Sequence, residues 1–213
     1  MSRVRIHNFS ISLDGFATGE GQSLENPFGH AGHRLHDWMF ATRFAQREVF
    51  GKEGGTAGLD DAMAERYGPG IGAEIMGAGK FGPPGWQDDP EWRGWWGENP
   101  PFHTPTFVLT HRPRPSLEME GGTTFHFLAA EPADALEVAR AAANGQDVRI
   151  GGGPTTSRAF LAAGLVDYLH VVQVPILLGR GVRLWDGLEG LEQQYAVEVV
   201  STPSGVTHLT FSR

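Results

Sequence analysis

Val148-Arg149-Ile150-Gly151-Gly152-Gly153-Pro154-Thr155-Thr156 is the stretch on which the fold turns. A short β-branched run enters three consecutive glycines, and a proline and two threonines then open a segment of helical character over residues 155–163. Pro154 suits a first helical turn, where its missing N–H costs nothing. Glycines let a ligand phosphate approach the backbone, while the free N–H groups and dipole of the following helix favour negative charge. A plain tight turn would use the same residues, so this segment alone leaves both readings open.

Working outward, the same strand-to-helix grammar recurs. Residues 4–13 alternate basic and apolar side chains and end in the turn pair Asp14-Gly15, which predicts a first strand. Residues 17–32 read as a long loop. Leu35, Trp38, Met39, Phe44 and Val49 predict one amphipathic helix over residues 34–50. Glu74-Ile75-Met76 is a buried strand entering Gly77-Ala78-Gly79-Lys80. Residues 82–105, with six prolines and Trp86, Trp92, Trp95 and Trp96, suit a covering loop. Residues 106–110 and 124–128 are β-branched and aromatic strands, residues 133–143 an Ala-rich helix and residues 168–178 a long strand. Two alternating strands, 195–202 and 206–211, close the chain as an antiparallel hairpin around Pro203-Ser204-Gly205. This alternation predicts a single α/β domain over residues 1–213, three-layered α/β/α, with a central mostly parallel sheet.

Composition removes whole classes of function. With 213 residues, 40% hydrophobic and 20% charged, the chain can bury a sizeable core. A net charge of −8 with scattered Lys and Arg opposes nucleic-acid binding. There is no cysteine, hence no disulfide, thiolate ligand or thiol nucleophile. The N-terminal segment is too polar for a signal peptide and no apolar run approaches membrane-spanning length, so no membrane partner and a cytoplasmic location are the expectation. His30, His33 and His36 lack the i, i+4 spacing of a zinc helix, and no metal is expected.

Several residues carry candidate chemistry. Gly77, Ala78, Gly79 and Lys80 offer a second phosphate cradle, although the nucleotide-triphosphatase loop would need Gly at Glu74 and Ser or Thr at Phe81. Thr110-His111-Arg112 gathers a hydroxyl, an imidazole and a guanidinium at a strand's end, suited to a ribose 2′-phosphate or simply to a solvated turn. Asp14 and Asp37 could fix a polar substrate or hold a proton-donating water, or serve a turn and a helix surface. Trp38, Trp92, Trp95 and Trp96 could stack on a flat heterocycle or staple a loop to the core.

Taken in order, Ser12-Leu13-Asp14-Gly15-Phe16, Met76-Gly77-Ala78-Gly79, Val108-Leu109-Thr110-His111-Arg112, Gly151-Gly152-Gly153 and Leu165-Val166-Asp167 resemble the dihydrofolate-reductase-like superfamily, in particular the reductase domain of the bifunctional riboflavin-biosynthesis enzyme. The resemblance implies NADPH laid across the carboxyl ends of the strands and hydride transfer to a pterin- or pyrimidine-like ring. It places Ala17 beside the nicotinamide, Gly77 to Lys80 and Gly151, Gly152, Gly153, Pro154, Thr155 and Thr156 at the phosphates, and Thr110 to Arg112 at the 2′-phosphate. Ala78 stands where many relatives carry Arg, so phosphate binding there would rest on backbone groups or Lys80. Catalysis would fall to Asp14 or Asp37, and the substrate pocket to Asp14, Trp38, Trp92, Trp95 and Trp96. A homodimer is the assembly expected. The competing reading is a non-catalytic nucleotide- or folate-type binder, since fold does not fix activity; a conventional Rossmann dehydrogenase fits less well, because Thr156 replaces the last glycine of its fingerprint.

Overall fold

The computed structural model describes residues 2–213. In chain order the elements are β1 (Val4–Ser12), β2 (Phe16–Thr18), α1 (Asp37–Phe40), α2 (Arg43–Glu48), α3 (Leu59–Glu65), β3 (Ile71–Gly77), α4 (Ala78–Phe81), β4 (Pro105–Leu109), β5 (Leu117–Glu118), β6 (Thr124–Leu128), α5 (Pro132–Ala142), β7 (Asp147–Gly152), α6 (Pro154–Ala162), β8 (Tyr168–Val174), β9 (Val182–Arg183), β10 (Ala196–Ser201) and β11 (Thr207–Ser212). This is an α/β fold with a nine-stranded mixed sheet, mostly parallel at its centre and antiparallel at its C-terminal strands. The residues group into two compact units: residues 2–5 with Gly70–Val166, and Ile6–Pro69 with Asp167–Arg213. No helix among the described residues is long and apolar enough to cross a membrane.

In the first unit, the start of β1 and then β7, β3, β4 and β6 pair in parallel, and the two-residue β5 pairs antiparallel at the edge. Its core gathers Met76, Phe81, Trp86, Phe102, Val108, Met119, Phe125 and Phe127. Burying each such side chain is worth roughly 1.5–3 kcal/mol, and the core draws on strand faces (Met76, Val108, Phe125, Phe127) and on the segments that cover them (Phe81, Trp86, Phe102, Met119) alike. The helix over residues 132–142 starts at Pro132, whose missing N–H is harmless at that position.

In the second unit β8, β11 and β10 run antiparallel, and Phe16, Leu35, Trp38, Ala64, Val172, Val174 and Val206 form the core. Strand β8 stops at Val174 rather than at residue 178, because Pro175 cannot donate to a ladder. The single helix expected over residues 34–50 is broken into a 3₁₀ turn (Gly29–Leu35), α1 and α2. Thr42 breaks it. Its backbone is extended (ψ 157°), its hydroxyl donates to the Met39 carbonyl at 2.6 Å and accepts from Ala45 N–H at 3.1 Å, capping α2. Thr56 takes the neighbouring backbone groups, donating to Ala41 O and accepting from Arg43 N–H.

Helix α3 escaped the sequence reading. Glycines flank it, and its stability comes from Asp60 and Asp61 in the first turn and from the Asp61 carboxylate accepting the Phe44 N–H at 2.7 Å.

Candidate functional site

The parallel strands of the first unit finish level with one another. Met76 is the register partner of Gly152, Gly77 of Leu109, and Leu109 of Leu128. The segments that follow, Gly153 to Thr156, Ala78 to Lys80 and Thr110 to Arg112, are therefore neighbours along one sheet edge, the place where open α/β sheets bind ligands. Three stretches far apart along the chain become one surface.

Two of these junctions touch. A Cβ on Gly77 would lie 2.2 Å from Thr156 Oγ1, so only glycine lets the first turn of α6 sit this close to β3. Between Ile150 and Gly152 the β7–β3 register slips, leaving Gly151 as the unpaired residue of a bulge. A Cβ there would fall 1.8 Å from Glu74 Oε1. Gly152 (φ 121°) and Gly153 (φ 83°) take left-handed backbone, and near Gly152 only Lys80 Cδ, at 3.7 Å, approaches the Cβ position. The turn thus opens outward. Helix α6 has no side-chain cap at its N-terminus, Pro154 occupies its first turn, and Thr155 is exposed, so its first backbone donors suit an anion.

Beneath the cradle lies a buried ion pair that the sequence reading missed. Glu74 and Arg149 are cross-strand register partners, 0% and 3% exposed. Arg149 Nε donates to Glu74 Oε2 at 2.9 Å and its terminal nitrogen donates to the same oxygen. Lys80 Nζ sits 3.4 Å from Glu74 Oε1 and donates to the Gly151 carbonyl. Burial pushes the Lys80 ammonium below its ordinary pKa; Glu74 pulls it up and Arg149 down. This corrects the expectation that Lys80 reaches a phosphate: two of its donors point inward and fasten the two glycine turns together. A single Glu among the apolar residues of β3 and an Arg between Val148 and Ile150 of β7 were the available signal.

At the next junction Thr110 is buried, its N–H donates to Leu128 O and its hydroxyl accepts the Arg112 N–H at 3.2 Å. His111 and Arg112 are exposed, and Arg112 pairs with Asp88 at 2.8 Å with the two side chains 60% and 70% accessible. Such surface pairs are worth about 0–1 kcal/mol, so the guanidinium can exchange this partner for a phosphate at little cost.

The tryptophan-rich loop is tied to its own unit. Trp86 Nε1 donates to Ala78 O and Trp92 Nε1 to Phe81 O, each at 3.1 Å. Trp95 packs edge-on against Trp92, and Trp96 packs edge-on against Phe102 and stacks on Phe125. These rings staple the loop to the core of their unit.

In the second unit, Asp14 accepts hydrogen bonds from Ser12 Oγ (2.6 Å), Leu178 N (3.1 Å) and Gly179 N (2.7 Å). The Ser12 hydroxyl first, and then these backbone donors, hold its carboxyl down at about 2. A carboxylate so stabilised can accept N–H groups or orient a water. Its stabilising contribution is present above the ordinary value of 3.8 and is lost as pH falls through about 2. Carbon NMR of the Asp14 carboxyl should accordingly give a midpoint near 2; a midpoint at 3.8 would show that the loop at residues 178–179 is not held this way.

Ala17 lies half-buried on β2, and Asp37 is exposed in the first turn of α1. Trp38 is corrected from ligand contact to core: it is 6% exposed and donates Nε1 to Ser10 Oγ at 2.9 Å. His30 bridges the Glu20 N–H and Leu178 O, while His33 and His36 pack on Phe28 and Phe40. Beside Asp14 is a cavity of about 400 Å³ whose walls include Gln173, Arg183 and Trp185, none of them singled out by the sequence.

Comparison with known proteins gives one family. The model of the RibD C-terminal domain matches residues 4–207. A protein from Shewanella sp. PV-4 described as a riboflavin biosynthesis protein is 18% identical and superposes with a TM-score of 0.58 over 100% of this chain and 99% of its own. A pyrimidine reductase-like protein from Corynebacterium diphtheriae is 14% identical, TM-score 0.53, over 99% and 91%. The diaminohydroxyphosphoribosylaminopyrimidine deaminase/5-amino-6-(5-phosphoribosylamino)uracil reductase of Thermotoga maritima is 13% identical, TM-score 0.55, over 99% of this chain and 56% of that one. At these identities the likeness is one of fold. No curated protein matches the chain.

Proposed function

The chain belongs to the family of RibD C-terminal domains, and from that premise we propose that it is an NADPH-dependent reductase acting on a pyrimidine- or pterin-like heterocycle. The observation that carries the reading is the level edge of β7, β3 and β4, where the open Gly152-Gly153 turn, the uncapped start of α6 and the Thr110 to Arg112 turn line up. The donor set fits the cofactor: the backbone N–H groups of Gly153, Thr155 and Thr156 with the Thr155 hydroxyl would hold the pyrophosphate, and Thr110, His111 and Arg112 the 2′-phosphate. NADPH, when bound, supplies the hydride. Lys80, Glu74 and Arg149 keep the cradle in shape, and Asp14 fixes the loop at Leu178 and Gly179 while its remaining lone pairs are available to a substrate N–H or a water.

Family membership and the relatives' descriptions support a pyrimidine over a pterin. The test is a fluorescence titration with NADPH followed by an NADPH-oxidation screen across pyrimidine, pterin and flavin compounds; failure to bind NADPH would overturn the proposal. The second reading, a binder that retained the fold, is favoured by the internal engagement of Lys80, Arg112 and Asp14, and is the outcome if NADPH binds without any compound oxidising it.

Cofactor choice gives a separate prediction. Arg112→Ala should weaken NADPH by about 1–3 kcal/mol more than NADH, the scale of one lost charge-assisted hydrogen bond. Parallel titrations decide it, and equal losses for both cofactors would remove Arg112 from the 2′-phosphate site.

A further inference from the structure

Asn8 is a non-glycine residue with left-handed backbone (φ 54°) inside strand β1, a conformation that asparagine tolerates but that needs outside support. The support comes from two directions. Its side-chain amide donates to Ala64 O at 3.1 Å, and its backbone N–H donates to His170 Nδ1 at 3.3 Å. From His170 a hydrogen-bonded chain continues through the interior: His170 Nε2 lies 2.9 Å from His208 Nδ1, and His208 Nε2 lies 2.8 Å from Asp60 Oδ1. Both imidazoles are 1% exposed.

The backbone end of this chain fixes every proton in it. An amide N–H can only donate, so His170 Nδ1 is bare and its proton is on Nε2, which donates to His208. His208 Nδ1 must then accept, leaving its proton on Nε2 for the Asp60 carboxylate. With both rings neutral each nitrogen is satisfied. One further proton on His170 has no place except Nδ1, where it would face the Asn8 N–H donor to donor.

We propose that the His170–His208–Asp60 chain is a proton-sensitive latch on β1, which holds the kink at Asn8 while His170 is neutral and releases it when His170 takes up a proton. The surroundings oppose that uptake in the closed state: burial first, then the potential charges of His208 on β11, His7 on β1 and Arg66 after α3, hold the His170 imidazole down at about 3. Asp60, kept below its ordinary value by His208, Ser204 and Thr202 against the opposing effect of its burial, sits at the far end of the chain, bonded to His208 rather than His170. Trp38, edge-on to His208, adds no charge. An opened His170 recovers its ordinary affinity near 6.5, so the sign is fixed: closure is favoured fully above 6.5 and progressively less as pH falls toward 3.

Hydrogen exchange of the Asn8 amide, read by NMR and corrected for the intrinsic exchange rate, measures the opening. The opening constant should rise about tenfold per pH unit below about pH 6, the slope of one-proton uptake. In His170→Gln, whose amide can accept from Asn8 and donate to His208 without titrating, the slope should vanish while protection at neutral pH persists. A flat wild-type profile, or an unchanged slope in the Gln variant, would overturn the latch. Should that variant fail to fold, long-range proton–nitrogen spectra of the wild-type histidines decide instead: the Nε2–H form of both rings supports the proposal, and an Nδ1–H form of His170 refutes it.

Discussion

Glu74→Ala should cost about 3–5 kcal/mol of folding stability, the usual penalty for removing one partner of a buried ion pair. The size follows from what is left behind. Glu74 is 0% exposed and is the counter-ion of the buried Arg149 and of Lys80, so the truncation strands two cations in a site that their mutual repulsion already disfavours. The cavity left by the shortened side chain adds to the loss. Urea unfolding monitored by tryptophan fluorescence measures it. A loss below about 1 kcal/mol, the range of a solvent-exposed pair, would mean that water reaches these groups and that the pair does not hold the bulge at Gly151 in place.

The second large effect is expected in binding. Gly152→Val should weaken NADPH by about 100-fold or more, equivalent to at least about 2.7 kcal/mol, while the chain remains folded. Two separate causes contribute. At φ 121° a β-branched residue is strained by about 1–3 kcal/mol. The space around the missing Cβ is otherwise open, with Lys80 Cδ at 3.7 Å as nearest neighbour, so the new side chain projects into the volume that the proposed pyrophosphate needs. Calorimetric titration gives the affinity and a thermal melt gives the strain; strain of this size lowers the midpoint by only about 2–4 °C per kcal/mol in a chain of this length. Unchanged affinity in the folded variant would rule out this turn as the phosphate cradle. A contrasting substitution, Gly79→Ala, should leave affinity and stability near wild type, since nothing lies within 4 Å of its Cβ position.

Strand and helix order were legible in the sequence because each is a local property: β-branched runs ending in glycine, a proline at a first helical turn, the Pro203-Ser204-Gly205 hairpin. The glycine junctions at Gly77 and Gly151 to Gly153 were readable for the same reason, since left-handed or crowded backbone selects glycine whatever lies nearby. The periodicity over residues 34–50 misled. It reports which positions face a core, and cannot report that Thr42 and Thr56 would take the backbone groups a continuous helix needs. What only the tertiary structure decided were the partnerships between distant residues. The sequence contains Glu74 and Arg149 but not the register that sets them opposite one another, so Lys80, which reads as a phosphate ligand by proximity to Gly79, becomes a brace for Gly151. It contains Asp14 but not Leu178 and Gly179, whose N–H groups arrive from 164 and 165 residues away and keep it ionised. Charge, burial and proton position depend on what surrounds a side chain in space, and chain folding alone brings those surroundings together.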